Sequence, residues 1–328
     1  MAEKTENTSA PRLNEDKEAA LAKASRIDLI KTLLPVVGLV AVFIVFNIIT
    51  GGGMWNSRNL ILSQVYTVMI SSVGVFFIMT MGGLDFSQGS ILGMASIVVC
   101  WVSEKSILLA VICGILTGAA IGAVNGFFYV NRKIKSFIVT ICTMFLFRGV
   151  IKYLTSDSPV AATMKVYDFD TLAFKLTCTL IILAVCYILF SYTKFGTYLK
   201  AIGAGEKAAM FSGIRTDSMK FWIYVLSGAI TGFAAFINIV KNGSATANVG
   251  SQLETQILIA LVLGGMPISG GAKVRFLNVI VGSLLYVVLS NGLTMVGLQP
   301  QTMQLLQGII FLIFVAVFAD RKSLKIIK

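Results

Sequence analysis

Ten apolar stretches separated by short polar interruptions run along this chain, at roughly 30–50, 60–81, 86–103, 106–130, 136–154, 172–193, 221–240, 255–268, 276–296 and 302–319. A helix that crosses a bilayer needs about 20 apolar residues, and most of the ten reach that length. The stretch at 255–268 is short and the one at 86–103 begins at a polar break, so either is a candidate re-entrant or broken segment. The pattern predicts an all-α polytopic membrane protein with about ten transmembrane helices, an internal repeat and broken or re-entrant segments. Residues 28–320 form the transmembrane domain, between polar tails at 1–27 and 321–328. Asn14-Glu15-Asp16 either caps a surface helix or belongs to a flexible tail. No small-residue cleavage site follows the first apolar run, which argues against a signal peptide.

The widest basic interruption is 194–220, KFGTYLKAIGAGEKAAMFSGIRTDSMK. Lys194, Lys200, Lys207, Arg215 and Lys220 face only Glu206 and Asp217. Its centre, Gly205 to Gly213, reads as a short helix between glycine breaks. Such a helix between two spans is a handle for another protein.

Composition removes any soluble reading. The 328 residues are 56% hydrophobic and 13% charged, about half the charge of a soluble domain, so lipid must cover the apolar surface. The net charge of +12 is distributed as in a membrane protein, not a nucleic-acid binder. With ten spans and a cytoplasmic N-terminus, 20 of the 27 Lys and Arg fall on the cytoplasmic side. Six (Arg58, Lys105, Lys152, Lys165, Lys175, Lys241) fall outside, and Arg148 lies near the outer end of a span, where it can snorkel. This positive-inside asymmetry places both termini and 194–220 in the cytoplasm.

Two segments share the pattern G-G-x-x-x-S-x-G, Gly82 to Gly89 and Gly264 to Gly271, and Asn125-Gly126 is echoed by Asn291-Gly292. Duplication is common in transporters, whose sites lie where broken helices meet; parallel and inverted repeats both remain open. Asp85 is the acid most closely flanked by apolar segments, and a carboxylate at that depth needs a partner or a role. Capping the helix that starts near Phe86 is favoured over substrate contact. The external segment from Lys152 to Lys175 is either a docking surface or a solvated loop. Five cysteines in apolar spans, without ligand-like spacing, read as small buried hydrophobes. With no histidine, zinc chemistry and a Ser-His-Asp triad are excluded. No phosphate loop is present, and Gly203-Ala204-Gly205 alone is no nucleotide fingerprint.

Four ordered blocks carry a family likeness: GGLDFSQGSILGMAS at 82–96, NGFFYVNRKIKSFIVTICTMFLFRG at 125–149, GTYLKAIGAGEKAAMFSGI at 196–214 and LETQILIALVLGGMPISGG at 253–271. Over residues 60 to 320 the chain resembles the permease subunit of bacterial ABC sugar importers of the ribose/xylose/galactose type, related to the branched-chain amino acid permeases. Gly205 stands where many relatives have Asn, and Met266-Pro267-Ile268 replaces a small polar run. Lys273 and Arg275 flank a region often richer in glycine, and these departures bear on substrate more than on family.

The resemblance implies a type II-like ABC importer permease, multi-pass in the bacterial cytoplasmic membrane. It is a transport subunit and not an enzyme, with no cofactor bound by this chain and ATP and magnesium held by a partner. The implied partners are a second permease copy or a homologous permease, a cytoplasmic ABC ATPase, an external sugar-binding protein and membrane lipid, with no nucleic acid. The coupling element would comprise Gly203, Gly205, Glu206, Ala208, Ala209, Met210, Phe211, Ser212 and Gly213. There Glu206 suits the helix dipole, Ala208 and Ala209 leave room for docking, and Met210 and Phe211 offer apolar anchors or pack back onto the spans. Candidate pathway or gate residues are Asp85, Phe86, Asn125, Thr255, Gln256 and Asn291, and the absence of an evident acidic or basic cavity suits a neutral monosaccharide. The alternatives are a secondary transporter, or an ABC permease for nucleosides or branched-chain amino acids.

Overall fold

The computed structural model describes residues 33–318; the expected tails at 1–27 and 321–328 lie outside the described residues. Helix α1 (Leu33–Ile49) leads through the single turn α2 (Gly53–Asn56) to α3 (Arg58–Thr80), α4 (Gln88–Ser103), α5 (Ile107–Asn131) and α6 (Ser136–Leu154). A two-residue strand β1 (Val160–Ala161) and a 3-10 turn (Met164–Phe169) precede α7 (Leu172–Tyr192), α8 (Lys194–Ala204), α9 (Glu206–Phe211) and α10 (Thr216–Asn242). Strand β2 (Ser244–Ala245), α11 (Leu253–Leu263), α12 (Leu277–Met295) and α13 (Pro300–Phe318) complete the described chain.

Each apolar stretch holds a helix. Among the described residues, α3, α5, α6, α7, α10 and α12 are long and apolar enough to cross a membrane by length and composition. The described apolar parts of α1, α4, α11 and α13 are shorter. The two suspected breaks are real: residues 81–87 before α4 and 246–252 before α11 are not helical. The polar interruption, however, is two helices and not one. An additional helix, α8, starts at Thr193, whose hydroxyl accepts from Phe195 N at 3.2 Å. Residues 216–220, expected in the loop, form the first turn of α10. Polarity hid them, because Thr216 and Lys220 are buried against the protein and need no water.

Helix α3 is apolar on every side and sits at the centre, 78% of its span buried, whereas α7 is 22% buried and turns most of its surface to the lipid region. Phenylalanines tie the two together: Phe76 meets Phe190 of α7 at 4.8 Å and Phe77 meets Phe195 of α8 at 5.4 Å, edge to face. The tightest pairing is between α5 and α10. Gly114, Gly118, Gly122 and Gly126 recur every four residues along one face of α5. A Cβ at Gly118 would collide with the carbonyl of Gly228, and one at Gly232 with the carbonyl of Gly114. Where lipid supplies no hydrophobic drive between helices, such close backbone approach supplies dispersion contacts instead. Gly228→Leu is expected to prevent recovery of a monodisperse protein in detergent. Overpacking by even a methyl costs about 1–3 kcal/mol, and the blocking atoms here are backbone. Normal size-exclusion behaviour of that variant would show that the two helices are not held this way.

The strands pair antiparallel, Val160 with Ala245 and Ala161 with Ser244. They join the 155–171 loop to the segment that follows α10. Since α10 has 27 residues, its two ends are separated by about 40 Å at 1.5 Å per residue. Helix α9 lies at its start and the β1–β2 pair at its finish.

Candidate functional site

The two G-G-x-x-x-S-x-G segments meet at the α9 end of the molecule. Each ends its helix in the same way. Gly82 (φ 85°) donates to Met79 O at 3.0 Å and Gly83 to Ile78 O at 3.0 Å; Gly265 (φ 86°) donates to Val262 O at 2.9 Å and Met266 to Leu261 O at 3.0 Å. Both are left-handed caps that satisfy the last carbonyls. The left-handed residue is the first glycine of one pair and the second of the other, so the shared letters are one residue out of structural register. Across the junction Gly271 N donates to Thr80 O at 3.0 Å, and Gly270 lies directly on the carbonyls of Met79 and Thr80. Helices α3 and α11 run in the same direction, because their beginnings line one cavity and their ends meet here. Gly203 of α8 is wedged into the junction against Thr80 O and Gly271 N.

From this junction the chain enters α4 through a buried polar network. Asp85 Oδ1 accepts from Ser87 N at 2.8 Å and Ser87 Oγ at 2.6 Å, and Oδ2 accepts from Gln88 Nε2 at 2.6 Å. Gln88 Nε2 also donates to Ser227 Oγ at 3.0 Å, and Thr231 Oγ1 donates to Gln88 Oε1. Asn125 Nδ2 donates to Ser87 Oγ at 2.8 Å while its Oδ1 accepts from Thr143 Oγ1 at 2.6 Å. Backbone groups freed by the break are taken up by α6: Leu84 N donates to Ser136 Oγ at 3.3 Å and Phe86 N to Thr140 Oγ1 at 3.1 Å. Asp85 and Asn125 are thereby occupied in joining α4, α5, α6 and α10. Phe86 is partly buried beside them and lies away from the cavity described below.

The second broken helix is held by charge. After β2 the chain turns through Gly250 (φ 66°) and Gln252 (φ 62°) into α11, which carries Glu254 in its first turn. Arg148 does not snorkel outward. Its Nη1 donates to Val249 O at 2.7 Å, its Nη2 donates to Gly250 O, and Nη2 lies 3.9 Å from Glu254 Oε2. Both side chains are largely buried, 16% and 12% exposed. That carboxylate oxygen accepts no hydrogen bond, and the guanidinium is its ion-pair partner. Gly89, the last glycine of the first motif, packs against this cluster; a Cβ there would lie 2.7 Å from Arg148 Nη2 and closer still to Gly250 O and Glu254.

Beside the re-entrant segment, towards the β1–β2 end, lies a cavity of about 290 Å³ lined by residues of α3, α10, α11 and α12. That is near the ~300 Å³ lower bound of small-molecule sites. Gln64, Thr67, Asn238, Asn248, Gln256 and Ser290 give it a polar wall. Asn238 Nδ2 is buried without a partner, a donor available to a hydroxyl oxygen. Among the described residues no carboxylate lines the cavity, and Lys241 is the one charged side chain that does. Of the expected pathway residues, Gln256 lines it. Asn291 stands one hydrogen bond behind, donating to Gln64 Oε1 at 3.0 Å. Thr255 is exposed on another face of α11 and does not line the cavity.

At the other end, α9 projects from the body. It is capped by Gly213 (φ 83°), whose N donates to Met210 O at 3.0 Å, followed by Ile214 N to Ala209 O at 3.1 Å. Phe211 is 85% exposed and Met210 53%, so neither packs back onto the spans. Ala208, Ser212 and Gly213 share that exposed surface. Ala209 differs from expectation: it is 4% exposed and packs inward, so it spaces the helix from the body and is no part of an outward face. Glu206, expected to act through the helix dipole, is engaged by Lys220 Nζ of α10.

A multi-pass bundle with two broken helices, a polar cavity at one end and a projecting helix at the other defines a membrane permease. Residues 58–315 match the family described as "Branched-chain amino acid transport system / permease component", and the chain belongs to it. The ribose import permease protein of Bacillus subtilis (strain 168) is 33% identical over 301 residues, covering 88% of this chain and 92% of that protein. The ribose import permease protein of Escherichia coli (strain K12) is 29% identical over 308 residues, covering 89% and 94%. The galactose/methyl galactoside import permease protein of the same organism is 29% identical over 303 residues, covering 83% and 89%. No solved structure matches the chain significantly. The protein is thus a transport subunit of the multi-pass membrane class, not a catalyst.

Proposed function

We propose that this chain forms the translocation pathway of an ATP-driven importer for a monosaccharide, a pentose or hexose. A cytoplasmic ATPase, which holds the ATP and magnesium, docks on α9, and an external binding protein delivers the sugar at the β1–β2 end. A second permease copy completes the pathway, and both termini lie in the cytoplasm with α9. One observation carries this reading: two adjacent apolar side chains, Met210 and Phe211, are exposed on a short helix in the polar interruption between two spans, tied to α10 by the Glu206–Lys220 pair. Apolar side chains so placed mark a surface that another protein covers. The nature of the cargo is supported by the sugar permeases among the relatives and by the amide- and hydroxyl-lined cavity.

The test is uptake into proteoliposomes carrying the permease with the ATPase and binding protein encoded beside it. Ribose, xylose, galactose, a nucleoside and leucine serve as the substrate panel. Uptake of a monosaccharide that requires ATP and survives collapse of ion gradients is the expected result. Uptake by the permease alone under a proton or sodium gradient would instead identify a secondary transporter.

A further inference from the structure

Helix α9 is anchored by an unusual contact. Lys220, in the first turns of α10, is 7% exposed. Its ammonium is held by Glu206 at the start of α9 and lies 5.3 Å from the ring centroid of Tyr129, near the end of α5. One cation therefore touches three helices: a carboxylate from the projecting helix, its own helix, and an aromatic face from the third. A buried lysine is costly unless paired, and the ring face adds attraction where water is excluded.

What lies above this contact makes it more than an anchor. Helices α5 and α10 are in backbone contact through their glycines, an approach too close for one to move without displacing the other. Higher on α10, Ser227 and Thr231 grip Gln88, and Gln88 holds Asp85 at the start of α4. A route thus runs from α9 through the Lys220 contacts to α10, along that helix to Ser227 and Thr231, and through Gln88 to Asp85 at the broken helix. The parallel connection through α8 ends on Gly203, packed against Thr80 O and Gly271 N at the junction of the two breaks.

We propose that Lys220 is a positioning residue for coupling: together with Glu206 and Tyr129 it transmits displacement of α9 to the α5–α10 pair and so to the start of α4. This rests on the reading of α9 as the ATPase-docking element. Lys220 does not itself meet the partner, being buried, while Glu206 is half exposed and stands between the partner and Lys220.

The experiment uses the assembled transporter in proteoliposomes and compares wild type with Glu206→Gln, Lys220→Met and the exchanged pair Glu206→Lys with Lys220→Glu. Sugar molecules imported per ATP hydrolysed are measured, and ATPase co-purification is measured separately. Each single variant is expected to keep the ATPase bound and to lower import per ATP by about tenfold, in the range of ordinary coupling between sites. The exchanged pair is expected to recover only part of that loss, because a carboxylate at 220 restores the ion pair but faces the Tyr129 ring without the cation's attraction. Unchanged import per ATP in both singles overturns the proposal, as does loss of ATPase binding, which would make the pair part of the docking surface. If Lys220→Met does not fold, Glu206→Gln alone decides, since Glu206 is half exposed. Failure of the wild type to show ATP-dependent uptake would overturn the function proposed above, and is distinguishable from all of these.

Discussion

Replacing Arg148 by methionine is expected to abolish recovery of folded permease, the largest effect predicted for any single side chain here. The guanidinium serves two carbonyls and one carboxylate at once. Val249 and Gly250 belong to the irregular segment before α11, where the backbone has no helix to satisfy it. Among the described residues Val249 O then has no other donor, and an unpaired buried carbonyl is costly. Glu254 would lose its cationic partner and be left to bear the cost of burial as an unpaired carboxyl, charged or neutralised. Removing one member of a buried pair costs about 3–5 kcal/mol, a large part of typical protein stability. Pairing Arg148→Met with Glu254→Gln is expected to restore part of the loss, because the buried carboxyl no longer needs a cation, while Val249 O stays without its donor and Gly250 O keeps only Leu253 N. The measurement is the thermal midpoint and the monodisperse fraction in detergent. A single variant as stable as wild type would mean that the re-entrant segment is held by packing alone.

The second large effect is on assembly and leaves the fold intact. Phe211→Asp is expected to weaken ATPase binding by about 30-fold or more, the loss that accompanies a hot-spot aromatic of about 2 kcal/mol. Phe211 is 85% exposed, so its loss removes almost no internal contact and the permease should melt as wild type does. A charge in its place also makes an apolar groove on the partner desolvate a carboxylate without repayment. Gly213→Leu should act in the same direction for another reason. At φ 83° a branched side chain is strained, which tilts α9 and its cap. Both variants are read by co-purification of the ATPase and by ATP-dependent uptake. Undiminished co-purification of Phe211→Asp would move the docking surface away from α9.

Much of this architecture is legible before any coordinates are seen. The apolar stretches mark the helices, the short eighth stretch and the polar start of the third mark the breaks, and Gly205 and Gly213 bracket α9. The errors have a common physical origin: polar residues were assumed to seek water. Local pattern puts Lys220 in a loop, lets Arg148 snorkel to the outer end of its span and does not mark Glu254 as buried, whereas all three side chains pack inside the protein. Each finds its partner 14 or more positions away in sequence, Lys220 with Glu206 and Arg148 with Glu254, at separations that no local pattern encodes. The glycine stripe of α5 is a signal that was present and unread: four glycines at intervals of four predict a close helix partner, though not which helix. The G-G-x-x-x-S-x-G echo misleads in a subtler way. It correctly marks two helix ends, yet the left-handed residue falls on Gly82 in one and Gly265 in the other.

By itself, then, the sequence determines the solvent, the apolar helices and the family, because hydrophobic length and four ordered blocks are local properties of the chain. Only the tertiary structure decides what the buried polar groups do. Asp85 and Asn125 tie helices together, Gln256 reaches the cavity, Ala209 turns inward and Phe211 outward. Those outcomes depend on which helices meet. In an interior without water, each polar group must be satisfied by a neighbour brought from elsewhere in the chain.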